Sequence, residues 1–185
     1  MNIGLDFDGV IADSTGIKLN LAKELFGATI KPNQWRRDII LGEKLLAEDA
    51  YDHVQELVYG SDEYGFKLTP IVGALDSINI LLQSNHTLTI VTSRVEHKLE
   101  IAEKWARTHD IALPLIGAGR NKSKAPYLEG FDIFVDDGLQ KLLHVVDTVK
   151  HCFLFDQPYN SDEALHEKII RVYDWADFMK KIEAL

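Results

Sequence analysis

Two short acidic motifs in the sequence have the composition of a metal-dependent phosphate site. The first, DFDGV, places Asp6 and Asp8 two residues apart and a glycine directly after the second carboxylate. The second, VDDG, places Asp136 and Asp137 side by side. Carboxylates about 4 Å apart repel by roughly 4 kcal/mol per pair at an effective dielectric near 20, so four of them need a compensating cation. Mg²⁺ meets this need because it prefers oxygen ligands and commonly binds together with substrate phosphate.

Each acidic motif taken alone also has an ordinary structural explanation. Asp and Gly are favoured in a polar turn after a strand, which accounts for DFDG about as well as a catalytic role does. VDDG is equally compatible with an N-capping turn before a helix predicted from Leu139. The occurrence of both motifs directly after apolar, strand-like runs favours the catalytic interpretation.

Candidate phosphate ligands follow another apolar run. Thr92, Ser93 and Arg94 stand between a predicted strand and a predicted helix, where hydroxyls and backbone N–H groups receive phosphate. Taken alone, this segment could be an N-cap, and Arg94 could either reach a phosphate or pair with an acid. Lys122 and Lys124 could supply positive charge to the acidic residues. Lys124 is slightly preferred because an Ala-Pro pair follows it at a predicted helix start, and Lys122 stays a candidate.

Short apolar runs alternate with helical patterns, and their order predicts the elements that position these motifs. Strand-like runs are predicted at 2–6, 87–92, 112–116, 132–135 and 152–155. Helical spacing is predicted at 15–26, 43–59, 71–82, 99–108, 139–146 and 161–170. This alternation favours an α/β fold with a Rossmann-like, doubly wound parallel sheet. The ligand site of such a sheet lies beyond the carboxyl ends of its strands, where we expect Asp6, Thr92 and Asp136 to meet.

The composition of the whole chain limits the classes of function. The chain has 185 residues, of which 46% are hydrophobic and 26% charged, and this predicts an ordinary globular domain with room for an inserted lobe. The single cysteine, Cys152, cannot form an internal disulfide or a CxxC zinc site. With no signal peptide evident in MNIGLDFDG, we expect a cytoplasmic protein. The net charge of -9 argues against a nucleic-acid polymer or an anionic membrane as partner.

The ordered set of DFDGV, TSR, a lysine and VDD resembles the four motifs of the haloacid dehalogenase superfamily of phosphohydrolases. The resemblance implies that Asp6 is the nucleophile, which becomes an aspartyl-phosphate, and that Asp8 is the general acid/base. Dehalogenase members of the superfamily lack this second acid, so its presence favours phosphate chemistry.

The same resemblance implies a set of ligands around these two residues. The implied phosphate ligands are Thr92, Ser93 and one of Lys124 and Lys122. The implied ligands of Mg²⁺ are Asp6, Asp8 and Asp136, with Asp137 acting through the water shell of the metal.

Longer segments resemble bacterial relatives of the cytosolic-type 5'(3')-deoxyribonucleotidases, namely DFDGVIADS, LTPIVGALDSINILL, FDQPYN and RVYDWADF. In that group a small helical cap, inserted after the first strand, closes over the site and helps to select the substrate. The resemblance implies a core at 1–12 and 70–185 and a cap at 13–69. It favours a small phosphorylated metabolite as partner, specifically a nucleoside monophosphate.

Two alternatives to a nucleotidase remain open at this stage. The first is a phosphatase for another small metabolite such as a sugar phosphate, because the core motifs bind only the phosphate. The second is a non-catalytic binding module that retains the fold, although the presence of Asp8 argues against it. The aromatic residues of the predicted cap are individually more typical of its core than of a base-binding site: Trp35, Tyr51, Tyr59, Tyr64 and Phe66.

Overall fold

A parallel β-sheet flanked by helices forms the centre of the computed structural model, which describes residues 1–120 and 122–185. The strands are β1 (Asn2–Leu5), β2 (Ala12–Asp13), β3 (Thr69–Pro70), β4 (Thr87–Thr92), β5 (Leu115–Gly117), β6 (Ile133–Asp136), β7 (His151–Phe155) and β8 (Ile169–Val172). The helices are α1 (Thr15–Phe26), α2 (Arg37–Gly42), α3 (Glu48–Gly60), α4 (Asp62–Gly65), α5 (Ala74–Gln83), α6 (Glu96–Thr108), α7 (Leu139–Leu143) and α8 (Trp175–Glu183). Short 3-10 helices lie at Pro32–Gln34 and Ala125–Tyr127.

Six strands form the main sheet in the order β5-β4-β1-β6-β7-β8, and every neighbouring pair is parallel. The chain starts at the centre with β1, builds β4 and β5 on one side, and then returns to build β6, β7 and β8 on the other. The predicted doubly wound α/β fold is therefore confirmed. The point where the strand order reverses lies beside β1, which is the usual location of a ligand site in such sheets.

Burial on both faces explains why the central strands are nearly continuous apolar runs. All four residues of β6 are buried, as are the last five of β4, because helices cover both sides of the sheet. One hydrophobic core on the α5 and α8 side contains Phe7 and Trp105 and extends into the segment between β2 and β3. A smaller core on the α7 side contains Phe134 and Leu142.

A two-stranded antiparallel ribbon, β2 with β3, joins the inserted segment to the sheet. Ala12 pairs with Pro70 and Asp13 pairs with Thr69, so the segment begins and ends at the same place. Helices α1 to α4 lie between these strands. The division into a core (1–12 and 70–185) and a cap (13–69) stays a prediction, and the ribbon lies where that division was expected.

One helix prediction was wrong, at 161–170. The structure has turns there, followed by β8, whose residues Ile169 to Val172 pair with β7. Arg171 binds the backbone oxygens of Asn160 and Glu163, which an α-helix would use for its own hydrogen bonds. Pairing with β7 has overridden the local helical pattern.

The other elements differ from their predicted limits by a few residues. The helix expected at 43–59 begins at Glu48, and the one expected at 139–146 ends at Leu143. The strand expected at 112–116 is formed by Leu115–Gly117. Among the helices that the structure describes, none is long and apolar enough to cross a membrane.

Candidate active site

Three neighbouring strands bring the predicted site residues together at one edge of the sheet. Asp6 directly follows β1, and Thr92 and Asp136 end β4 and β6, the strands on either side of β1. Asp6 N donates a hydrogen bond to Val135 O at 2.8 Å, which fixes the start of the first acidic motif against β6. All three residues are almost completely buried, with exposed fractions of 1% or less.

The DFDG turn places Asp8 beside the site and depends on its glycine. Ile11 N and Ala12 N both donate to Phe7 O, which closes the turn after the strand. Gly9 has φ +77°, a conformation that disfavours side chains, and a Cβ there would collide with the carboxylate of Asp137.

Lys124, one of the two candidate lysines, reaches the acidic residues. Its Nζ lies 3.0 Å from Asp6 Oδ1 and 2.7 Å from Asp136 Oδ2, and its side chain is only 2% exposed. Lys122 is exposed, and its side chain forms no ion pair with the other described residues. The structure therefore brings Lys124 and not Lys122 into contact with Asp6.

A second lysine beside Asp6 was missed by the sequence analysis. Lys141 Nζ lies 3.4 Å from Asp6 Oδ2 and 3.9 Å from Asp136 Oδ1, and its side chain is 40% exposed. Partial burial acts to lower the pKa of Lys141, but the surrounding carboxylates hold it well above its ordinary value. The sequence places Lys141 four residues after Asp137, in the following helix, but it does not indicate the contact with Asp6.

The carboxylate of Asp8 is held by Arg94. Arg94 donates from Nε to Asp8 Oδ2 at 2.8 Å and from Nη2 to Asp8 Oδ1 at 2.7 Å. The guanidinium lies against two rings, 4.9 Å from the centroid of Phe7 and 4.6 Å from that of Tyr59. Arg94 was expected either to reach a phosphate or to pair with an acid, and the structure shows it paired with an acid. The two parallel hydrogen bonds are the strong geometry that Arg forms with carboxylates.

Three acids offer a set of oxygen ligands for a hard cation. Oxygens of Asp6, Asp136 and Asp137 lie within 4.8 Å of one another. This all-carboxylate set fits Mg²⁺, which takes oxygen ligands and is commonly held by one or two carboxylates together with water. The carboxylate of Asp8, which was expected to bind the metal, is not in this group. Asp137, which was expected to act only through the water shell of the metal, belongs to the group.

The pKa values of Asp6 and Asp137 are shifted in opposite directions. Burial raises the pKa of Asp6, but the ammoniums of Lys124 and Lys141 lower it, and the net shift is downward. Burial and the charges of Asp136 and Asp6 raise the pKa of Asp137 to about 7. Without a cation, Asp137 is thus the acid whose charge is least well compensated.

Two cavities open beside these residues. The larger, of about 630 Å³, lies between α3 and the segment after β4, and Asp8, Asp137 and Lys141 are among the residues that line it. Tyr51 and Tyr59 are the aromatic residues in its wall. The smaller, of about 560 Å³, is rich in basic and polar groups: Ser93, Arg120, Lys122, Ser123, Lys124, Gln140, Lys141 and His144.

The other aromatic residues of the predicted cap, Trp35, Tyr64 and Phe66, differ in their packing. Trp35 is buried and packs against Tyr51 at a ring-centroid distance of 6.0 Å. Tyr64 packs against the core, and Phe66 is partly exposed.

Comparison with known families identifies the chain. The family model of the 5' nucleotidase, deoxy (pyrimidine), cytosolic type C protein matches residues 1–184. The chain belongs to this family. It is accordingly an enzyme of the phosphatase and nucleotidase class within the haloacid dehalogenase superfamily, and its substrate is a small phosphorylated molecule. No curated protein sequence matches the chain.

Solved structures of the superfamily share the fold of this family member at low sequence identity. A HAD-superfamily hydrolase from Ehrlichia chaffeensis has 14% identity and a TM-score of 0.62, with 100% of this chain and 96% of that chain covered. A HAD family hydrolase from Deinococcus radiodurans, with bound phosphate and sodium, has 14% identity and a TM-score of 0.66, with 99% and 95% covered. D,D-heptose 1,7-bisphosphate phosphatase from Burkholderia thailandensis has 12% identity and a TM-score of 0.58, with 100% and 99% covered.

Proposed function

We propose that the protein hydrolyses nucleoside 5'-monophosphates through an aspartyl-phosphate formed on Asp6. The observation that carries this proposal is the environment of Asp6, whose two carboxylate oxygens face the ammoniums of Lys124 and Lys141. An anionic nucleophile can approach an anionic phosphate only when nearby positive charge offsets their repulsion. A second acid two residues away then supplies the proton transfers that phosphate ester cleavage needs.

The reaction has two steps. A carboxylate oxygen of Asp6 attacks phosphorus, the bond to the ester oxygen breaks, and Asp8, which enters this step as the carboxylic acid, gives its proton to the departing nucleoside oxygen. Water then attacks the phosphorus of the aspartyl-phosphate, Asp8 takes a proton from that water, and inorganic phosphate leaves with Asp6 restored. Arg94 orients Asp8, while Thr92, Ser93 and Lys124 hold the phosphate oxygens.

Mg²⁺ is the proposed cofactor, with Asp6, Asp136 and Asp137 as the residues that would hold it. Bound there, it would offset the charge of the phosphate oxygens during transfer. The low pKa of Asp6 supports this role, because Asp6 stays ionised at neutral pH and is available both as ligand and as nucleophile.

The nucleotide preference rests on the family and on the larger cavity. Its volume of about 630 Å³ lies in the range of pockets for small ligands, and Tyr51 and Tyr59 contribute aromatic surface to its wall. Base stacking on aromatic side chains contributes about 1–3 kcal/mol per base in single-strand binding sites. The cytosolic type in the family name supports a cytoplasmic location.

Phosphate release from a panel of substrates tests the proposal. With Mg²⁺ present, we expect faster release from nucleoside 5'-monophosphates than from sugar phosphates, and no turnover in Asp6→Asn. Asp147→Asn, at an exposed ion pair, is the matched control and should keep full activity. Equal or faster release from sugar phosphates would contradict the nucleotide preference. Equal rates for the wild type and Asp6→Asn would contradict an enzymatic role for the site.

Reduction with borohydride tests the covalent intermediate directly. Borohydride reduces an acyl phosphate to an alcohol, so it should convert Asp6 to homoserine during turnover, and peptide mass analysis would detect the change. An unmodified Asp6 peptide from protein quenched during turnover would rule out accumulation of the aspartyl-phosphate.

A further inference from the structure

The loop after β7 carries the FDQPYN segment, to which the proposed mechanism gives no role. Its residues Gln157, Tyr159 and Asn160 all bind the acidic turns of the site through their side chains. We refer to residues 156–160 as the brace loop.

Two residues of the brace loop bind Asp137, one at its side-chain carboxylate and the other at its backbone oxygen. The hydroxyl of Tyr159 donates a hydrogen bond to Asp137 Oδ2. Asn160 Nδ2 donates to the backbone oxygen of Asp137 at 2.8 Å and to Phe155 O at 2.9 Å. The side chain and the backbone of one acid are therefore fixed by consecutive residues of the same loop.

A third residue ties the loop to the other acidic motif. Gln157 Nε2 donates to Gly9 O at 2.8 Å, directly after Asp8. A Cβ at Gly9 would lie 2.7 Å from the hydroxyl of Tyr159, so the two acidic turns and the loop are in close contact at this point. The loop thus sets the spacing between the DFDG turn and the VDDG turn, which come from different strands.

The loop is itself held in place. Asn160 is 2% exposed, and its Oδ1 accepts hydrogen bonds from Gln157 N and from Arg171 Nη1, both at 3.0 Å. Arg171 Nη2 also donates to Asn160 O at 3.0 Å. An element fixed in this way can hold other groups without moving with them.

We propose that the brace loop, chiefly through Tyr159, positions Asp137 for cation binding at the group formed with Asp6 and Asp136. The inference rests on the proposed function, because it assumes that this group binds the cation. A carboxylate in such a group can rotate about its last torsion, and a fixed hydrogen bond to one oxygen removes that freedom. Residues that orient ligands in this way typically change metal affinity 10–100-fold when mutated. Tyr159 is a positioning residue, since its hydroxyl acts on the cation only through Asp137.

Cation titration of the metal-free protein tests the inference without using activity. Mn²⁺ binding is measured by isothermal titration calorimetry for the wild type, for Tyr159→Phe and for Tyr173→Phe. Tyr173 is 68% exposed and serves as the matched control. We expect the Mn²⁺ dissociation constant of Tyr159→Phe to rise about tenfold or more, with Tyr173→Phe within about twofold of the wild type.

The possible outcomes separate the inference from the proposed function. Unchanged Mn²⁺ affinity in Tyr159→Phe, with or without a lower melting temperature, would show a purely structural role and overturn the inference while leaving the proposed function intact. No Mn²⁺ binding by the wild type would overturn both the inference and the cation part of the proposed function. If Tyr159→Phe does not fold, Gln157→Met takes its place, because it removes the bond that ties the loop to Gly9 O from a half-buried position. A rise in the dissociation constant beyond the twofold range of Tyr173→Phe is then expected, and an unchanged value would overturn the inference.

Discussion

Replacing Lys124 and replacing Lys122, the two lysines considered in the sequence analysis, should have very different effects on stability. Lys124 is 2% exposed and lies between Asp6 and Asp136, so Lys124→Met leaves two buried carboxylates without their closest positive charge. Removing one partner of a buried charge group typically costs about 3–5 kcal/mol of unfolding free energy. For a chain of this size each kcal/mol corresponds to about 2–4 °C, so the melting temperature should fall by about 6–20 °C.

Lys122→Met provides the control for this prediction. Lys122 is exposed and removal of its side chain breaks no ion pair in the described residues, so its unfolding free energy should stay within about 0.5 kcal/mol of the wild type. Both variants are melted in EDTA at pH 7.5 and followed by circular dichroism. A second melt with excess Mg²⁺ should recover part of the stability of Lys124→Met, since a bound cation stabilises the folded state and offsets the same carboxylates.

The result that would refute this reasoning is equal stability of the two variants in EDTA. It would mean that Lys141, the other ammonium near Asp6, compensates both carboxylates alone. Phosphate release gives an independent measurement, because Lys124→Met should lose nearly all activity while Lys122→Met keeps it.

Three further predictions follow from other groups. The pKa of Asp137 is raised to about 7, against about 3.9 when unfolded, so the folded metal-free protein keeps a proton that the unfolded chain loses. Its stability should therefore fall as the pH rises from about 4 to about 7, and Asp137→Asn should remove this fall in EDTA melts; an unchanged slope would contradict the assignment. Arg94→Met should reduce kcat more for nucleoside monophosphates than for p-nitrophenyl phosphate, whose good leaving group needs no proton from Asp8, and equal losses would count against an orienting role. Burial and nearby acids raise the pKa of Cys152 to about 11, so iodoacetamide at pH 8 should alkylate it only after unfolding, as checked by mass spectrometry.

Much of the fold follows from local sequence patterns. Apolar runs ending in Asp6, Thr92 and Asp136 predict three strands, and parallel strands necessarily bring their carboxyl ends to one edge. The meeting of these residues could thus be predicted from the sequence. The choice between Lys122 and Lys124 could not, because it depends on which way the segment before the Ala125–Tyr127 turn faces.

The features that were missed depend on tertiary contacts, which local sequence patterns do not specify. The strand at Ile169–Val172 exists because β7 is available for pairing, and its own sequence also fits a helix. Lys141 contacts Asp6, which lies 135 residues earlier, and no local pattern specifies that contact. Pairing of Arg94 with an acid was one of two expectations, and the choice between them is fixed by a contact between motifs 86 residues apart.

The ribbon of β2 and β3 bears on how such enzymes diverge. Since Ala12 and Pro70 are paired neighbours, the polypeptide departs from the sheet and returns to it at adjacent backbone positions. An insertion of almost any length can be attached at such a junction without stretching the strand that precedes Asp6. The residues proposed for phosphoryl transfer all lie outside the interval between the two strands. Descendants of one ancestral gene can therefore vary the inserted helices while keeping the proposed phosphoryl-transfer residues unchanged.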